Sequence, residues 1–152
     1  WHVANQMESL TAKILINAAL NPVLGHHPLL VNINKINFFY DSDDNLYAEA
    51  IRVGEDAELA TLLVQKLPEL HQIVLSFLIR FLQIFVSPDI VSVTKMDASN
   101  LSMVFAPNFL RCPSKDPIVI MENTRKEMAF VKTLIHHLDT STVEGLSENV
   151  GH

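Results

Sequence analysis

The chain has 152 residues, 49% hydrophobic and 18% charged, with four glycines, one cysteine and a formal net charge of −6. That apolar fraction excludes a disordered tail, and the acidic balance excludes a protein that tracks nucleic-acid phosphates, which needs a basic face. Cys112 alone cannot close an intrachain disulfide, and the scattered glycines cannot build a P-loop or a dinucleotide fingerprint.

The chain opens on Trp1 without a basic, apolar, small-residue leader, and reads as a fragment or partial product of a cytoplasmic protein. Leu10, Ile14 and Ala18 mark a short amphipathic helix that Asn21-Pro22 would stop. Residues 31–40, VNINKINFFY, are β-branched and aromatic with poor alternation. Nine of those ten are Asn, Ile, Lys, Phe or Tyr, a bias typical of translated non-coding sequence. Asp41-Ser42-Asp43-Asp44 follows as a solvated acidic loop.

From residue 45 the helical period is cleaner. Helices are expected over 45–53 and 55–67, separated at Gly54, the second carrying Leu59, Leu62, Leu63 and Val64. Pro68 suits the first position of a helix running to about Val86. There Leu70, Ile73, Phe77, Phe81 and Ile84 form one stripe, and Val74, Leu78, Leu82 and Phe85 its neighbour. A helix apolar all round is a central, buried one. Arg80 interrupts it and Ser87-Pro88 ends it, short of the roughly 20 apolar residues of a spanning helix, so no membrane insertion is expected. Asp97 is a good N-cap for a helix over 98–106 that Pro107 closes. Asp116-Pro117 starts the last helix, whose Met121, Thr124, Met128, Val131, Ile135 and Leu138 fall on one stripe. The expected architecture is all-α, an antiparallel helical bundle with short connections.

Generic catalytic patterns are missing: no GxSxG, no CxxC and no HExxH. The adjacent pairs His26-His27 and His136-His137 point about 100° apart on a helix, so neither makes a metal face, and His136-His137 suits a helix C-terminus. No metal or cofactor is expected. Cys112, with Arg111 as its one basic neighbour, reads as a plain, partly buried cysteine.

Segment 95–110, KMDASNLSMVFAPNFL, resembles the signature helix of Rho-family GTPase-activating (RhoGAP) domains, roughly N-K-M-x-x-x-N-L-[AS]-x-V-F-[AG]-P-N-[LF]-L. IRFLQIFV, NFLRCPSKDP and ENTRKEMAFVKTLIHHLDTS resemble its Vilse/CrossGAP branch more closely. On this resemblance 45–140 is the C-terminal part of a RhoGAP-like domain. Residues 1–44 are an unassigned segment without family resemblance, and 141–152 a flexible tail.

The resemblance implies an all-helical domain whose partner is a Rho-family small GTPase in its GTP-bound form, Rac-like or Cdc42-like. It implies a regulator of a GTPase and not an enzyme in its own right. Such domains insert an arginine finger worth roughly 10³–10⁵ in rate. The family carries it in a Gly-[IV]-[FY]-Arg motif, with a lysine on the next helix and a Glu-Pro-Leu-[IL]-Pro stretch further on. None of these occurs here, and Arg52, Arg80, Arg111 and Arg125 all lie outside such a motif. A weak or inactive activator fragment is therefore expected.

Asn108 matches the asparagine of Ala-Pro-Asn, which lies at the GTPase interface in the family; a residue capping a turn after Pro107 would also favour Asn. Arg111, after the same turn, would meet the acidic GTPase surface or stay solvated. Lys95 matches the lysine of Asn-Lys-Met, with an interface or a structural role. Arg80 reads as a core-edge residue. Two functional readings stay open: a GTPase-activator fragment, or a non-catalytic helical binding module or aberrant truncated product. Truncation should leave apolar stripes of 68–86 and of the last helix uncovered, a larger patch than monomers usually show.

Overall fold

The computed structural model describes residues 38–141. They form six helices and no strand: α1 (Asn45–Val53), α2 (Ala57–Gln65), α3 (Glu69–Phe85), α4 (Pro88–Thr94), α5 (Ala98–Phe109) and α6 (Pro117–His137). The all-α expectation holds. The helix expected around Leu10–Ala18, the pair His26-His27 and the tail beyond Ser141 lie outside the described residues.

Local chemistry accounts for most of the boundaries. Asp44 precedes α1 in the left-handed region, φ 57°, and makes no side-chain cap bond. Asp41 does that job from further back, its Oδ1 accepting the Leu46 N–H at 3.1 Å, so the acidic loop is not simply solvated. Gly54 ends α1 at φ 54°, where its missing Cβ removes the usual penalty. Asp56 caps α2 by accepting the Leu59 N–H at 3.1 Å, which starts that helix later than its apolar pattern suggests. Pro68 sits at the N-cap of α3, one position before the expected N1. After α3 the chain bends by 76° into α4. The sequence pattern misses α4 because its seven residues bury nothing and so leave no stripe to read.

The helix at the centre is α6, which packs against α5, α2, α1 and α3. This corrects the expectation that α3 is the central one. Only one face of α3 is buried: Val74, Leu75, Leu78, Ile79 and Leu82. The other predicted stripe is half-buried at Ile73, Phe77 and Phe81, and Ile84 is 53% exposed. An apolar circumference offers several faces, and the available partners select one.

The stripe on α6 is likewise shorter than expected. Val131, Ile135 and Leu138 are buried, Met128 is half-buried, and Met121 and Thr124 are exposed. A helix of 21 residues runs about 32 Å, whereas the 12 residues of α5 span about 18 Å. The first turns of α6 overhang, exposing Ile118, Ile120 and Met121.

Both ends of the described chain are tied in. Phe38 and Phe39, which the sequence pattern leaves in the unassigned segment 1–44, are fully buried. Phe39 meets Phe130 edge-on at 5.1 Å between ring centroids, and Phe38 meets Phe109 at 5.5 Å. Gln83 of α3 donates from Nε2 to the Leu138 carbonyl at 2.8 Å and accepts the Thr140 hydroxyl at 2.7 Å. Among the described residues no single helix is long and apolar enough to cross a membrane.

Candidate functional site

The site is built on α5. Asp97, with extended backbone, accepts the Asn100 N–H at 2.9 Å and starts the helix as expected. Ala98, Leu101, Ser102, Phe105, Ala106 and Phe109 then form the buried face. Their spacing turns Asn100, Met103 and Pro107 to the opposite side and leaves Val104 and Asn108 half-buried on the flank, Val104 packed against the core. Met103 is 49% exposed, and Pro107 is exposed.

Pro107 does not close this helix, contrary to the sequence expectation. It lies inside α5, which runs on to Phe109, and the Leu110 N–H still reaches the Ala106 carbonyl at 2.9 Å. Proline removes one donor, leaving the Met103 carbonyl without its i+4 partner. Met103 and Pro107 both lie on the outer face, where water can replace that bond. Asn108 consequently sits in the last helical turn and caps no turn after Pro107. Half-buried, it donates from Nδ2 to the Val104 carbonyl at 3.1 Å.

Arg111 follows in a connector over 110–116 that leaves the helix with Leu110 extended, at φ −131° and ψ 136°. It is exposed on the rim of a cleft of about 350 Å³ between α5 and α6, which Met103, Pro107, Cys112, Ile120, Glu127 and Met128 help to line. Asn108 and Arg111 thus share one end of α5. Lys95 does not join them: it lies before the opposite end of α5, whose first residue Ala98 is about 15 Å from Asn108 along the helix axis. It caps α4 in the left-handed region, φ 59°, and its carbonyl accepts Asn100 Nδ2 at 3.1 Å.

Two residues that sequence reasoning passed over sit under this end. Glu127 of α6 is buried, and its Oε1 accepts the Tyr47 hydroxyl of α1 at 2.5 Å. Burial raises the Glu127 carboxyl above its usual range, against the opposing hydrogen bond from Tyr47. Burial, with that same bond and Cys112, also pushes the Tyr47 phenol well up. A signal existed for Glu127: it precedes Phe130 by three, Val131 by four and Leu134 by seven, the buried face of α6. Cys112 is half-buried, with Asn123 Nδ2 at 3.5 Å from its sulfur. Among the described residues no group of His, Cys, Asp and Glu could hold a metal ion. His136 and His137 occupy the last turn of α6.

Comparison with known proteins points the same way. The family model described as RhoGAP domain matches residues 36–114, a span that takes in Phe38, Phe39 and all of α5. The chain is 43% identical over 95 residues to GTPase activating protein homolog 2 of Dictyostelium discoideum, covering 62% of this chain and 10% of that protein. Against homolog 4 of the same organism it is 44% identical over 69 residues, 45% of this chain and 7% of that one. Rho GTPase-activating protein 24 of Mus musculus is 43% identical over 61 residues, 40% of this chain and 8% of that protein. The chain therefore spans a tenth or less of the length of these relatives. No solved structure matches.

Proposed function

Because the chain belongs to the RhoGAP domain family, we propose that it docks on a Rho-family small GTPase in its GTP-bound form and supports GTP hydrolysis there. The observation that carries this is the KMDASNLSMVFAPNFL segment, whose helix α5 is capped by Asp97 and carries Asn108, half-buried, in its last turn. Asn108 orders the GTPase switch, and Arg111 adds a charge at the same end. Lys95, at the far end, serves the α4–α5 turn through its backbone. The activities named for the three relatives above belong to much longer proteins, so the share that falls to this chain is docking more than catalysis. Arg52, Arg80 and Arg125 sit within helices α1, α3 and α6, whereas a finger needs a loop that can enter a partner's active site. Acting alone in the cytoplasm, the chain would accelerate hydrolysis weakly or not at all. The stretches NFLRCPSKDP and ENTRKEMAFVKTLIHHLDTS favour the Vilse/CrossGAP branch within the family.

Single-turnover GTP hydrolysis by Rac-like, Cdc42-like and Rho-like GTPases, with the chain in excess, tests this reading alongside a binding titration. Binding without acceleration is expected. Asn108→Ala should weaken it by about tenfold, the loss of one well-placed polar contact, while stability falls by less than about 1 kcal/mol, since its helix bond is part-exposed. Absence of binding to every GTPase would refute the proposal. Strong acceleration that disappears with Arg111→Ala would instead assign the finger role to the one arginine on a connector.

A further inference from the structure

On the outer side of α6, turned away from its buried Glu127, Phe130, Val131 and Leu134, stand Ile118, Glu122, Arg125 and Ala129. Their spacing of four, three and four residues sets them in one stripe along the helix, the pattern of a two-helix seam. Ile118 is 64% exposed, and Glu122 and Arg125 are exposed. Ala129 is half-buried and small enough to let a second helix approach closely. Met121 and Lys126, both exposed, flank the stripe on its two sides.

The charges on this face are not paired within the chain. Glu122 precedes Lys126 by four, the order that favours an ion pair inside one helix. Yet the ion pairs among the described residues join only Arg52 and Lys66 to Glu49. A purely anionic partner, whether an acidic peptide or a membrane, would repel Glu122 in the middle of the stripe. A face that carries both signs suits a copy of itself. When a second α6 lies antiparallel across a two-fold axis between residues 123 and 124, Ile118 falls opposite Ala129 of the second copy, and Glu122 opposite its Arg125. The axis repeats both contacts in reverse. The two Met121 side chains then share one flank, about 7.5 Å apart along the helices, and the two Lys126 share the other. A parallel pair would set Glu122 against Glu122 and Arg125 against Arg125, a juxtaposition that costs free energy.

We propose that two copies of this chain associate through the outer face of α6, antiparallel, with Ile118 on Ala129 and Glu122 on Arg125 of the other copy. Ile118 and Met121 supply the affinity, and the charges fix direction and register. The contact runs about 18 Å along a helix about 10–12 Å wide. That is well short of the roughly 800 Å² per partner of a standard interface, so the dimer is weak, with a Kd of about 100 µM. It lies across α6 from the α5–α6 cleft, which Ile120, Thr124, Glu127 and Met128 line, so pairing leaves that cleft open in both copies.

Sedimentation equilibrium of the full chain, from about 10 µM to about 1 mM, tests the pairing. The average mass should climb toward that of two chains and stop there. Ile118→Glu, at an exposed position, should raise the Kd about tenfold or more. Glu122→Arg and Arg125→Glu should each raise it about tenfold, because each sets like charges opposite one another. Mixed in equal amounts, those two variants should regain the original affinity to within about threefold, since each supplies the charge the other lacks. Circular dichroism confirms that every variant keeps its helices. A chain that stays monomeric throughout overturns the proposal. So does association that the charge variants leave unchanged, or whose loss mixing does not repair. Cosedimentation of a monomeric chain with vesicles rich in phosphatidylserine would give this face to a membrane and equally overturn the pairing.

Discussion

Phe39→Ala is the substitution whose outcome bears most on where this folding unit starts. Phe39 is 0% exposed and its ring meets Phe130 of the central helix edge-on at 5.1 Å. Truncating a buried phenylalanine to alanine costs about 3–5 kcal/mol, the transfer of the ring plus the cavity left behind. The edge-to-face pair accounts for about 0.5–1.5 kcal/mol of that. Domains of this size are stable by about 5–15 kcal/mol in total, so the change should remove at least about a fifth of the stability. Urea unfolding followed by far-UV circular dichroism measures it, with the slope m checked for two-state behaviour. A cycle through Phe39→Leu, Phe130→Leu and the double variant isolates the pair, because leucine keeps most of the volume. A loss below about 1 kcal/mol for Phe39→Ala, at unchanged slope, would refute the reasoning: residues before 45 would then lie on the core without contributing to it.

Three further outcomes follow from local chemistry. Asp97→Ala should cost about 1 kcal/mol, because the Asn100 N–H loses its acceptor at the start of α5; an unchanged urea midpoint would mean that water caps the helix equally well. Pro107→Ala should stabilise the chain by up to about 3 kcal/mol by restoring a donor to the Met103 carbonyl and relieving the ring's clash, and a loss of stability would show that the ring's own packing matters more. Glu127 has its folded pKa raised above the unfolded value of about 4.3. Its contribution is therefore fully present below that unfolded value and is lost as pH rises through the folded one. Glu127→Gln should consequently gain on the wild type with rising pH, read as the difference in urea midpoints at mildly acidic and neutral pH; a difference independent of pH would refute the shift.

What the sequence determined by itself is what acts within about four residues along the chain. Asp97 and Asp116 announce helix starts because a cap bonds a donor two or three positions on. Gly54 announces a stop, and the 3.6-residue period makes α1, α3 and the second half of α6 legible as helices. The residues of segment 95–110 likewise carry the family resemblance. The tertiary structure decided everything that depends on a distant partner. It selected one of two apolar stripes on α3, left the first turns of α6 overhanging, and buried Phe38 and Phe39 against Phe109 and Phe130. It carried α5 past Pro107, where an outward-facing carbonyl tolerates a missing donor. It also joined Tyr47 to Glu127 across 80 residues, a pairing no local pattern encodes. Caps and periods arise from bonds within a turn, whereas a buried face or a buried hydrogen bond exists only once another element has closed over it.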